Sequence, residues 1–209
     1  MKFEELVRQI PSHGVFRRGH ILAGRAKTTT VDRQLDRWTQ SGRLMQLRRG
    51  VYALGSPYAS TSPHPFLTAN LLKRASYVSL QSALAHYGMI PEYVPMTTSV
   101  TTGRPETLTT PLGRFQYRHV ARARFEGFSE LMIAPEQRVL MATPAKALVD
   151  LLYLTPRSDG EAFLRELRVQ PHASFSDETV LLSAAKGVSS PKVLRAVSCI
   201  LKIWRAERL

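Results

Sequence analysis

KTTTVDRQLDRWTQSGRLMQLRRGVYAL, residues 27–54, decides the fold of the N-terminal part of this 209-residue chain. Val31, Leu35 and Trp38 fall at i, i+4 and i+7, one apolar stripe of a helix, while Arg33, Gln34 and Arg37 project away from it. Thr29 with Asp32 three residues on has the T-x-x-D pattern of a capping box, and Ser41-Gly42 supplies a stop. The spacing therefore predicts a helix over 30–40, roughly 16 Å long at 1.5 Å per residue. After Gly42, residues 44–47 and 51–54 are two short apolar-rich runs joined by Arg48-Arg49-Gly50, a connection with glycine where a positive φ is needed. A capped basic helix followed at once by a basic hairpin is the order of a winged helix-turn-helix, with the two arginines expected at the hairpin tip. The competing reading is a solvated helix face and an ordinary hairpin carrying arginines for solubility.

Upstream, Phe3, Leu6, Val7 and Ile10 make the stripe of a first helix ending at Pro11, and residues 15–23 read as a second short helix after Gly14. Three helices and a wing account for residues 1–56. Charge is concentrated there: residues 1–60 hold eleven Lys/Arg against four Asp/Glu, whereas the other 149 residues hold eighteen against twelve. A polyanion suits such a field, and phosphate contacts supply salt-dependent affinity. Double-stranded DNA is the expected partner. Arg33 and Arg37 are candidates for guanine edges and Gln34 for adenine, with Lys27, Thr28, Thr29, Thr30 and Arg43 on phosphates and Arg48 and Arg49 on the wing.

With 44% apolar and 22% charged residues the composition is globular, enough for a small domain plus one of ordinary size. A single cysteine, Cys199, excludes an intramolecular disulfide, and without CxxC or clustered His/Cys no metal or other cofactor is implied. Glu4 and Glu5 inside the first apolar stripe argue against a signal peptide, and no apolar run reaches a membrane span, so a cytoplasmic protein is expected.

Residues 57–65, rich in Pro and Ser and without periodicity, read as a linker, so that residues 1–58 are expected to fold alone. Beyond it, residues 66–209 read as a mixed domain, making the whole chain α+β. Helices are expected at 66–74 and through SLQSALAHYG, and strands at 77–78, 96–102, 114–120, 125–128, 130–133 and 138–141. Thr143-Pro144 caps the helix AKALVDLLYL, and three more helices follow near 160–167, 178–186 and 191–208.

The hairpin GRLMQLRRGVYAL, the block YVSLQSALAHYGMIPE and the block VLMATPAKALVDLLYL, in that order, resemble the AbiEi family, the antitoxin and repressor half of bacterial type IV toxin–antitoxin pairs. The likeness covers residues 42–154 and weakens beyond. Ala145 stands where family members often carry a glutamate. The resemblance implies an N-terminal winged helix that represses its own operon at promoter inverted repeats. It also implies a C-terminal antitoxin domain that counters a nucleotidyltransferase-like toxin functionally rather than by stable contact.

Within that domain Lys146 and Asp150, at i and i+4, are spaced for an ion pair. Ser82 and His86 share a helix face, but no acid completes a hydrolase triad near Ser79, Ser82 or His86, and G-x-S-x-G, P-loop and GxGxxG patterns are absent. A packed, hydrogen-bonded His86 is expected, and no enzyme. These four residues are the antitoxin-domain candidates. Two further basic surfaces are candidates for phosphate or for solvent: Arg114, Gln116 and Arg118 running into Arg122 and Arg124, and Lys192, Arg195, Lys202 and Arg205 on the last helix. The alternative reading is an interaction protein or orphan regulator in which the larger domain binds a partner and DNA binding is secondary.

Overall fold

The computed structural model describes residues 2–22, 28–173 and 178–207. The chain is a mixed α+β structure. Its N-terminal module comprises α1 (Phe3–Gln9), β1 (Val15–Arg17), α2 (Arg18–Leu22), α3 (Thr28–Gln40), β2 (Leu44–Arg48) and β3 (Val51–Leu54). The three strands form an antiparallel sheet in the order β1-β3-β2. Where the sequence predicts a helix from residue 15, the chain first makes β1. Gly14, at φ +75°, turns it onto the free edge of β3, and Val15 and Phe16 then bury on opposite faces, as strand residues do.

That sheet is buried on both sides. Phe16, Leu44, Tyr52 and Leu54 pack with Phe3, Leu6, Val31, Leu35 and Trp38 into a small core under α1 and α3. On the opposite face, Val15, Leu47, Val51 and Ala53 belong to the main core of the larger domain, together with Leu67, Leu72 and Tyr117. Leu44 and Leu47, three apart on β2, enter opposite cores by strand alternation, and a bulge between Gln46 and Arg48 sets Arg48 opposite Val51, on the side of the larger domain. VYAL is apolar throughout because every one of its side chains meets a core.

The segment expected to be a linker is held at both ends. Tyr58 packs edge-on against Phe3, and the Thr61 amide donates to the Ser12 carbonyl at 3.2 Å. Gln137 accepts from the His64 amide at 2.7 Å and donates to the Ser62 carbonyl at 3.1 Å. The two parts are thus joined by a shared core and by a bonded crossing, which the Pro/Ser composition of the segment does not express.

The larger domain carries α4 (Pro65–Leu72), β4 (Ser76–Val78), α5 (Leu80–His86), β5 (Met96–Thr101), β6 (Glu106–Thr110), β7 (Gly113–His119), β8 (Phe128–Ala134), β9 (Gln137–Ala142), α6 (Pro144–Leu154), α7 (Glu161–Glu166), α8 (Glu178–Gly187) and α9 (Pro191–Glu207). Its six-stranded sheet runs β6-β7-β5-β4-β9-β8, parallel at β5/β7 and β4/β9 and antiparallel elsewhere. Two of the proline-started helices, α4 and α6, have side-chain N-caps: His64 Nδ1 accepts from the Phe66 amide, and Thr143 Oγ1 from the Lys146 amide. Residues 125–127 of the strand expected at 125–128 are instead irregular chain between a 3₁₀ turn at Arg122–Arg124 and the start of β8 at Phe128. Strand β6, a polar Thr-rich edge, had no apolar signal to announce it. Among the described residues, no helix is long and apolar enough to cross a membrane.

Candidate nucleic-acid interface

Helix α3 buries Val31, Leu35 and Trp38, and turns Thr29, Thr30, Arg33, Asp36, Arg37 and Gln40 to the exterior. Arg33 lies opposite the buried stripe with Arg37 one turn on, and neither side chain has a hydrogen-bond or ion-pair partner among the described residues. Gln34 sits on the flank and is half-buried. Asp36 and Gln40, absent from the expected set, share the exposed face with Arg33. Lys27 lies outside the described residues, as does the side chain of Thr28.

The helix is tied to its neighbours through Arg18. Its guanidinium donates to both Asp32 oxygens, at 2.7 Å through Nη2, and its amide donates to the Gly50 carbonyl at the hairpin tip at 2.9 Å. The tip is therefore tied through Arg18 to the second turn of α3. Gly55, whose amide reaches the Arg43 carbonyl at 2.9 Å, closes the hairpin base. A Cβ there would come to 2.3 Å from the Gly42 carbonyl oxygen, so only glycine fits.

The two wing arginines have different positions. The connection is the two-residue turn Arg49-Gly50, with Gly50 at φ +78°, and Arg48 is the last residue of β2 rather than part of the tip. Arg48 turns toward the larger domain: its Nη1 donates to the Leu72 carbonyl at 3.0 Å and pairs with Glu106 at 3.3 Å. Arg49 is exposed and unpartnered among the described residues. Arg43 is exposed above the Phe3 ring, 5.2 Å from its centroid.

The other basic candidates are largely engaged within the fold. Arg118 donates to the Leu154 carbonyl at 2.7 Å, and Arg124 donates to the Val188 carbonyl and lies over Tyr153. Lys192 donates to the Tyr153 and Thr155 carbonyls, Arg195 pairs with Asp159, and Arg205 pairs with Glu178. Arg114, Arg122 and Lys202 remain exposed. Most of these cations thus complete helix C-termini or surface ion pairs within the protein.

The four antitoxin-domain candidates do not form one site. Lys146 and Asp150 are a buried ion pair, 2.6 Å apart, with side chains 8% and 2% exposed. Lys146 also donates to the Arg124 carbonyl, and Asp150 accepts from the Tyr77 and Ser79 hydroxyls at 2.9 and 2.8 Å. Burial pushes the Asp150 carboxyl above the usual range, against the pull of Lys146 and the two hydroxyls. Burial, with Asp150 alongside, likewise raises the Tyr77 phenol. Ser82 is buried and exchanges hydrogen bonds with Thr98. His86 is not the hydrogen-bonded core histidine that was expected. It is exposed at the end of α5, with its ring edge-on to Phe66 and Tyr87.

No protein-family model matches the chain, and no curated protein matches it. Among solved structures, the fold is similar to the crystal structure of the RV2827C protein from Mycobacterium tuberculosis, at 16% identity, covering 95% of this chain and 79% of that one, with a TM-score of 0.48.

Proposed function

We propose that this protein is a sequence-specific repressor that binds double-stranded DNA through a winged helix-turn-helix, and that it works as an autoregulating antitoxin of the AbiEi type it resembles. The observation that carries the reading is the exposed face of α3, where Arg33 and Arg37 have no partner among the described residues, beside a hairpin tip tied through Arg18 to Asp32 of the same helix. A helix of this kind, roughly 20 Å long, fits the major groove, where arginine reads guanine O6/N7 in a bidentate manner. Gln34 serves from the flank, and the Asp36 carboxylate suits a cytosine amino group. Thr29, Arg43 and Arg49 are placed for phosphates, with Lys27 and Thr28 retained from the sequence. Arg48 instead acts by holding the wing onto the larger domain.

Repression follows from occupancy of promoter inverted repeats. The buried positions of Lys146, Asp150 and Ser82 favour an interior role over a contact surface for a toxin, in keeping with a nucleotidyltransferase-like toxin countered without stable contact. No catalysis and no cofactor are assigned. A duplex from the region upstream of the gene, titrated by fluorescence anisotropy between 50 and 200 mM salt, tests the reading. Affinity is expected to fall linearly in log–log form, by about 100-fold or more, through counterion release. Binding that does not change over this range contradicts it.

A further inference from the structure

Where the hairpin meets the end of α4, a crevice of about 450 Å³ is lined by Arg17, Arg48, Arg49, Lys73 and Arg74. The five cations come from β1, the hairpin and the α4–β4 connection, and so from both parts of the chain. Three are held by groups of the protein. Arg17 donates to the Leu71 and Asn70 carbonyls at 2.8 and 3.0 Å, Arg48 to the Leu72 carbonyl, and Lys73 and Arg48 share the Glu106 carboxylate. The C-terminal carbonyls of α4 thus serve as an anchor for guanidinium groups. Arg49 and Arg74 are exposed and have no partner among the described residues.

Among the described residues, five cations line the crevice and one carboxylate pairs with two of them, which leaves it positive. Arg17 is held below its ordinary value by burial and by the charges of Arg74 and Arg48. Burial pushes Glu106 upward, yet the Lys73 bond and the charges of Arg48 and Lys73 hold it below the usual carboxylate range. Among the described residues, the lining has no aromatic ring on which a base could stack. Its chemistry therefore fits a phosphate group rather than a nucleobase. Gly50 lines the crevice, and Arg18, whose amide donates to the Gly50 carbonyl, pairs through its guanidinium with Asp32 in the second turn of α3.

We propose that this crevice holds a backbone phosphate of the same duplex that α3 occupies, with Arg49 and Arg74 as its direct ligands and Arg17, Arg48 and Lys73 as a fixed positive floor. Arg74 thereby makes the larger domain part of the DNA footprint. This inference rests on the DNA-binding reading above.

The test uses full-length protein and the exposed position Arg74, where substitution is not expected to move the melting temperature. In anisotropy titrations at about 150 mM salt, Arg74→Ala weakens binding roughly five- to tenfold for the selected and scrambled duplexes alike. It also reduces the log–log salt slope by about one, and Arg74→Lys restores most of both. Wild-type protein that binds DNA with an affinity and salt slope matched by Arg74→Ala overturns this inference and leaves the DNA-binding reading standing. Wild-type protein that binds no duplex overturns the DNA-binding reading itself, and this inference with it. Calorimetric titration with inorganic phosphate separates the two phosphate sources. Tight phosphate binding that is lost in Arg74→Ala without any change in DNA affinity assigns the crevice to free phosphate and overturns the backbone assignment.

Discussion

Asp150→Ala is expected to lower the unfolding free energy by about 3 to 5 kcal/mol, because it leaves a buried ammonium without its counter-charge. Lys146 Nζ would keep the Arg124 carbonyl and the face of the Tyr77 ring but no anion, and the hydroxyls of Tyr77 and Ser79 would lose the oxygen to which both donate. At roughly 2 to 4 °C per kcal/mol for a chain of this size, the melting temperature falls by about 6 to 20 °C. The double change Lys146→Met/Asp150→Leu removes both charges and fills similar volume, and is expected to recover much of the loss. Urea unfolding monitored by tryptophan fluorescence gives the comparison. A loss below about 1 kcal/mol for Asp150→Ala would contradict a fully buried, unhydrated ion pair.

Cutting the chain after Tyr58 is expected to abolish cooperative folding of the remainder. The small core under α1 and α3 stays complete, but Val15, Leu47, Val51 and Ala53 lose the residues that cover them. Re-exposing Val15, Leu47 and Val51 costs about 1.5 to 3 kcal/mol each, as much as a module of roughly 60 residues has in total. The fragment should bind a hydrophobic dye and melt without a sigmoidal transition, whereas the full chain melts in one step with both cores lost together. A sharp thermal transition from the fragment would mean that the shared face is dispensable.

How far the sequence discloses this architecture depends on the kind of signal. Stripes such as Val31/Leu35/Trp38 and caps such as Thr143-Pro144 are local, and the helices they predict are present. The hairpin is equally local, being set by Gly50. What covers the second face of the sheet is not local. The unbroken apolar run 51–54 carries that information, but composition cannot name Leu67 and Leu72 as the partners. The misread helix at residue 15 has the same origin, since Val15 and Phe16 extend only because β3 offers an edge. Of the candidate site, the α3 face was readable from helical periodicity. The different positions of Arg48 and Arg49 were not, because a bulge and the end of α4 decide which arginine turns inward. The Arg74 side of the basic crevice was invisible for the same reason, as its members lie far apart in sequence and meet only across the shared core.

The central claim, that the exposed face of α3 reads DNA sequence, is tested most directly by selection from a pool of randomised duplexes. Wild-type protein and Arg33→Ala/Arg37→Ala would be compared at matched melting temperature. The wild type is expected to enrich a guanine-containing motif arranged as an inverted repeat. The double variant should still retain DNA at low salt through its phosphate contacts but enrich nothing over the starting pool, having lost about 2 to 6 kcal/mol of discrimination from two bidentate contacts. Enrichment of the same motif to the same degree by the variant, or of no motif by the wild type, would contradict the claim.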